Sequence, residues 1–172
     1  MNLARVTDPS TLKRGDILLF YRARGINRFI TLVTKSPFYH VAISLGGELI
    51  VEARPKGVEK NDLRKRRGGE IFTRIPAPGT DDEADNAARW TISKVGDGYD
   101  AAGVVAMVLD RAFVHLHVNK VVGDRYSCGE FVALAYRQAG RDLFPDIEAE
   151  DVAPGDFARL LPAGPKDGSL SG

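Results

Sequence analysis

The run Gly15-Asp16-Ile17-Leu18-Leu19-Phe20-Tyr21 constrains the fold of this chain more than any other segment. From Ile17 to Tyr21 no charged or strongly polar residue interrupts it, so a strand formed here has no face to offer to water and must be buried on both sides. The Gly-Asp pair in front of it is turn chemistry and marks where the strand begins.

The clearest hairpin follows at His40-Val41-Ala42-Ile43-Ser44-Leu45, with Gly46-Gly47 as the turn and Glu48-Leu49-Ile50-Val51-Glu52-Ala53 as the return. Its register has two solutions. A three-residue loop over Leu45-Gly46-Gly47 pairs Ser44 with Glu48 and sets His40 directly opposite Glu52. A two-residue Gly46-Gly47 loop sets Ala53 opposite His40 and turns Glu52 to the other face, because a slip of one residue flips every side chain. A further strand is expected over 70–75, closed by Pro76 and Pro78, and the polar stretch 56–70 reads as a loop or short turn.

Helical signals occupy the rest. Residues 22–39 carry apolar positions at helical spacing and end at Lys35-Ser36-Pro37. A helix starts after Thr80, whose spacing to Glu83 is that of a capping box, with Ala84, Ala87, Ala88, Thr91, Ile92 and Val95 as its apolar face and Gly96-Asp97-Gly98 as its stop. Residues 99–118 predict a second, more buried helix, although the β-branched content from Val114 to Val122 would equally suit a strand. A third helix spans 127–139 and stops at Gly140. Beyond Pro162 the chain turns to Gly, Ser, Pro and Lys. The expected organisation is one α+β domain over 1–162, an antiparallel sheet packed against helices, with 163–172 as a tail.

Composition removes several functions. The chain has 172 residues, 24 Lys and Arg against 23 Asp and Glu, 44% hydrophobic and 27% charged residues, and a single cysteine, Cys128. An internal disulfide is impossible, and one cysteine with His40, His115 and His117 cannot build a Cys-rich zinc site. Spacings such as H-x-x-x-H or H-E-x-x-H are missing, so neither a metal nor another cofactor is expected. A net charge of +1 does not give the broad positive field of a protein whose surface binds nucleic acid. The first 14 residues read as neither a signal peptide nor an anchor, and the longest apolar stretch, 101–109, is far short of the roughly 20 residues that span a bilayer. A cytoplasmic location is expected, with export by a route that needs no signal peptide left open.

Chemistry gathers around Tyr126-Ser127-Cys128-Gly129-Glu130-Phe131-Val132. Ser127 and Glu130 have capping-box spacing, which makes Cys128 the first helical residue. A thiol there faces unpaired N–H groups and the positive end of the helix dipole, both of which favour the nucleophilic thiolate, and the Cys128 N–H can serve an oxyanion. A small buried cysteine explains the same residue equally well when it is taken alone. The partner therefore decides. A nucleophilic cysteine needs a base, and the base needs an orienting group; His40 and Glu52 can supply both if the hairpin register puts them on one face. Taken singly, Glu52 is a solvated strand carboxylate, and His115 and His117 are surface histidines.

These residues resemble a family. The block from His40 to Ala53, with a polar residue 12 positions after the histidine, is similar to the histidine hairpin of NlpC-type papain-like cysteine peptidases, and Gly15-Asp16-Ile17-Leu18 to the strand before it. Tyr126 to Val132 resembles the family's cysteine motif. The order is reversed, with His40 preceding Cys128 by 88 residues, as in the circularly permuted branch of YiiX-like proteins and, more distantly, lecithin–retinol acyltransferase relatives. Gly129 stands where relatives commonly have serine, and Glu52 where they have His or Asn. The resemblance covers roughly 12–160 and implies a permuted papain-like fold in which Cys128 attacks an acyl carbonyl, His40 carries the proton and Glu52 orients His40. Tyr99 is the candidate for a second oxyanion donor or substrate contact, with Tyr39 and Tyr126 closer in sequence to the catalytic residues.

The function so implied is a thiol hydrolase that cleaves an amide, peptide or isopeptide-like, through an acyl-thioester. Transfer or removal of a lipid acyl group uses the same residues, and a binding module that keeps the fold without turnover is the third possibility. The run Lys60, Arg64, Lys65, Arg66 and Arg67 offers contact with an anionic partner, although such short runs are more often solvated loops, here near Asp81-Asp82-Glu83.

Overall fold

A computed structural model describes residues 5–21, 31, 36–65, 71–102, 104 and 125–162. Five strands, β1 (Arg14–Tyr21), β2 (Phe38–Gly46), β3 (Leu49–Arg54), β4 (Gly57–Asp62) and β5 (Ile71–Ile75), form one antiparallel sheet in the order β4-β3-β2-β1-β5. The helices α1 (Asp81–Ser93) and α2 (Cys128–Gln138) pack on it, and the two-residue strands β6 (Gly98–Tyr99) and β7 (Arg125–Tyr126) pair in parallel. The architecture is α+β with an antiparallel sheet.

The absence of a polar face in β1 is explained by its place between β2 and β5. Ile17 and Leu19 join Val41, Ile43 and Val51 in a core with Phe131, Val132 and Tyr136 of α2 and Ala87 of α1. Leu18 and Phe20 point the other way, into a smaller cluster with Leu12, Ala42, Ile50 and Phe72. Alternation along the strand thus feeds two apolar layers.

The Gly-Asp pair ties these layers together. Gly15 has φ +83°, and a Cβ there would lie 2.6 Å from that of Ala84, so α1 passes directly over it. Its carbonyl accepts a 2.5 Å hydrogen bond from the Tyr136 hydroxyl of α2. The fully buried Asp16 accepts from the backbone N–H groups of Lys13 (2.7 Å) and Ala77 (3.0 Å) and pairs with Arg74 (2.6 Å). One dipeptide therefore fixes the start of β1, the end of β5 and both helices.

The hairpin corrects both registers read from the sequence. Ser44 pairs with Ile50 and not with Glu48, Gly46 pairs with Leu49, and Gly47-Glu48 is the turn. The extra residue, Leu45, is a bulge, with the Ser44 hydroxyl accepting from the Gly46 N–H at 3.0 Å. Continued along β2, this register sets Glu52 opposite Ala42 and makes it a diagonal neighbour of His40. The bulge restores the parity that a two-residue turn would have broken, so both side chains still share a face.

Residues 57–62, read as loop, form the strand β4, whose backbone ladder with β3 compensates for a sequence with one apolar residue, Val58. Thr80 and Glu83 make the expected capping box at α1, and Ala84, Ala87, Ala88 and Thr91 form its buried face. Ile92 and Val95, assigned to that face, are 42% and 45% exposed instead. Ile92 lies about 100° round the helix from Thr91, and Val95 follows the helix end in the turn closed by Gly96 at φ +102°. The expected helix over 22–39 falls mostly outside the described residues, as do Arg66, Arg67, most of the element expected over 99–118, the Val114–Val122 stretch, His115, His117 and the tail 163–172. Among the described residues no helix is long and apolar enough to cross a membrane.

Replacing Gly15 with alanine should destabilise the protein by about 2 kcal/mol or more, since the left-handed backbone and the contact with Ala84 both oppose a Cβ. Denaturant unfolding measures this, and a change under 0.5 kcal/mol would refute the packing described.

Candidate active site

The N-terminus of α2 is built as its sequence predicts. The Ser127 hydroxyl accepts from the Glu130 N–H at 3.2 Å, and the Glu130 carboxylate accepts from the Ser127 N–H at 3.1 Å. Cys128 is therefore the first helical residue, and it is buried. Phe131 and Val132, both fully buried, anchor the helix so that the sulfur is held at a rigid end. Gly129 has a packing reason: a Cβ there would overlap the Val152 carbonyl, which crosses the first turn of α2. A serine at this position would have to displace that segment.

His40 lies near the start of β2 and is buried, with 8% of its surface exposed. Its Nε2 stands 2.5 Å from Glu52 Oε2, and Cys128 lies close enough to act on the ring. With Nε2 committed to Glu52, Nδ1 is the nitrogen left for the sulfur. The Phe20 ring, directly across the β1–β2 ladder, packs on the imidazole with centroids 5.3 Å apart. Glu52 is fully buried; its second oxygen, Oε1, accepts from Asn61 Nδ2 at 2.9 Å and lies 3.7 Å from the Arg54 guanidinium.

Two opposing effects set the charge on His40. Burial disfavours the imidazolium, but hydrogen bonds and the negative charges of Cys128 and Glu52 outweigh it and push the pKa up to about 9. The folded value lies above the ordinary 6.5, so the stabilisation from this pairing is complete below pH 6.5 and is lost as pH rises through about 9.

Cys128 opens on a small, mainly apolar cleft whose wall includes Phe38, Tyr39, Tyr99, Val104, Ala153 and Pro154. Tyr99, the sequence candidate for a second donor, is on that wall. Burial, then the negative charges of Cys128 and Asp100, push its pKa up, so the phenol keeps its proton and remains a donor. Tyr39 shares the cleft. Tyr126 does not line it; its ring lies 5.9 Å from that of Trp90 and 5.6 Å from that of Phe131, in the core. Among the described residues no three of His, Cys, Asp and Glu gather as a metal site would require.

Sequence reasoning missed Phe20, Arg54 and Asn61 as neighbours of the site. Phe20 was hidden in a uniformly apolar strand, and Asn61 lay in a segment read as loop. Recognising 57–62 as the strand after a tight Pro55-Lys56 turn would have placed Asn61 beside Glu52. In the basic run, Lys60 is exposed on β4, whereas Arg64 engages Asp62 at 2.9 Å and lies 4.0 Å from Glu48. The hydrogen bonds from Arg64 hold the Asp62 carboxyl down at about 2. Part of the positive charge is thus matched locally.

No protein-family model matches the chain, and no curated protein matches it.

Titration of His40 by NMR of its ring protons should give a midpoint near pH 9, falling toward the ordinary 6.5 in Glu52→Gln. A wild-type midpoint between 6 and 7 would contradict the charge balance derived for the pair.

Proposed function

We propose that this chain is a thiol hydrolase that cleaves an amide bond, peptide or isopeptide-like, with a permuted papain-like arrangement of Cys128, His40 and Glu52. The observation that carries this reading is the position of His40 near both a buried carboxylate and a cysteine at a helix N-terminus, on elements about half the chain apart in sequence. A merely structural histidine has no need of both neighbours. The order His40, Glu52, Cys128 and the antiparallel sheet beside the cysteine helix support the permuted reading.

The chemistry follows from those positions. The Cys128 sulfur attacks the acyl carbonyl, and the oxygen that becomes negative accepts from the Cys128 N–H and the Tyr99 hydroxyl. As the C–N bond breaks, the His40 imidazolium gives its proton to the leaving amine, and an acyl-thioester remains on Cys128. A water molecule then loses a proton to His40 as it attacks the thioester, which releases the carboxylic acid and restores the sulfur. Glu52 keeps Nε2 protonated and the ring aimed at the sulfur, and it stays ionised while His40 is charged.

The apolar wall of the cleft favours a second reading beside the first: the acyl group belongs to a lipid, and the same thioester is transferred or hydrolysed. The two readings share every residue and differ in the leaving group.

Incubation with amide and ester probes followed by intact-mass measurement should show one acyl group on Cys128. Amine release supports the amidase, whereas turnover of lipid esters alone supports the second reading. Cys128→Ala should remove the adduct entirely. The rate of amide cleavage should fall as pH rises through about 9, when His40 loses the proton it gives to the leaving amine. An adduct that persists in Cys128→Ala would exclude both readings.

A further inference from the structure

We propose that Asn61 is a fourth member of the site, a positioning residue that holds the Glu52 carboxylate against His40; this rests on the thiol-hydrolase reading. The two oxygens of the buried Glu52 are divided between two strands. Oε2 faces His40 Nε2 on β2 at 2.5 Å, and Oε1 accepts from Asn61 Nδ2 on β4 at 2.9 Å. The Arg54 guanidinium also approaches Oε1, but at 3.7 Å it stands beyond hydrogen-bond reach, and its side chain is 35% exposed.

The register produces this contact. Strands β3 and β4 pair Glu52 with Glu59 and Ile50 with Asn61, so Asn61 lies one diagonal step from Glu52 on the same face. His40 stands one diagonal step away on the other side. Phe20, His40, Glu52 and Asn61 therefore run across four adjacent strands, from a packing ring to a proton carrier, its orienter and the group that holds the orienter.

An amide is well suited to this place. The terminal torsion of a glutamate is broad, so a carboxylate tied at one oxygen can swing, and a donor on the other oxygen stops it. The amide is also neutral. A lysine or arginine bonded there would offset the Glu52 charge that sustains the imidazolium, whereas asparagine leaves it for His40. Asparagine is a poor strand residue, and this bond gives its presence in β4 a reason.

Two substitutions separate positioning from packing. Asn61→Ala removes the donor, and Asn61→Asp keeps the shape while replacing the donor with an acceptor beside Glu52. Both should lower kcat for amide cleavage roughly 10- to 100-fold with KM within about twofold, as a displaced catalytic group would. Asn61→Asp should be the more severe at neutral pH and should recover toward acid pH, where a proton shared by the two carboxylates restores the donor.

A proton in so short a bond between His40 Nε2 and Glu52 should resonate far downfield in wild type and be lost or broadened in both variants. Wild-type-like kcat and an unchanged proton in both variants would overturn the inference, and so would Asn61→Asp behaving more like wild type than Asn61→Ala does. If wild-type Cys128 forms no acyl adduct, the hydrolase reading falls, and the downfield proton alone decides whether Asn61 holds Glu52. Circular dichroism and thermal unfolding confirm that each variant is folded.

Discussion

The site depends on a buried carboxylate. Placing Glu52 in the interior of the sheet costs several kcal/mol of lost hydration, and only specific partners can offset it. His40, Asn61 and, at longer range, Arg54 are among those partners. Glu52 in turn helps to keep His40 charged although burial opposes that charge, and the charged ring is what Cys128 meets. Removal of one member leaves the others with uncompensated charge, which gives the group its specificity of geometry.

The surrounding fold supports that dependence at two points. The bulge at Leu45 sets the parity that places His40 and Glu52 on one face, so a single extra residue in β2 controls whether the pair exists. The Gly15-Asp16 clamp locks β1 to β5 and to both helices, which places Phe20 behind His40 and keeps α2 seated on the sheet. Stability and the geometry of the candidate site thus share residues far from the sulfur.

Much of this was legible in the sequence. The uninterrupted apolar run announced β1, and the two capping boxes located the starts of α1 and α2, because each rests on chemistry confined to a few neighbouring residues. Cys128, His40 and Glu52 could be proposed as partners for the same reason: a cap, a strand end and a hairpin are local signals. The bulge and β4 were not legible. A bulge depends on how a turn fits the strand pair, and β4 is held by backbone pairing to β3, leaving only Val58 as an apolar mark. Asn61 was lost with β4. Ile92 shows the opposite failure, an apolar residue at helical spacing that the packing of α1 leaves exposed.

The central claim is that His40 and Glu52 act together on Cys128. The most direct test is the rate of alkylation of Cys128 by iodoacetamide near pH 6, where a free thiol is almost wholly protonated, in wild type, His40→Ala and Glu52→Gln. Wild type should react many times faster than a free thiol, Glu52→Gln more slowly, and His40→Ala at a rate close to that of the free thiol. Equal rates in all three proteins would contradict the account.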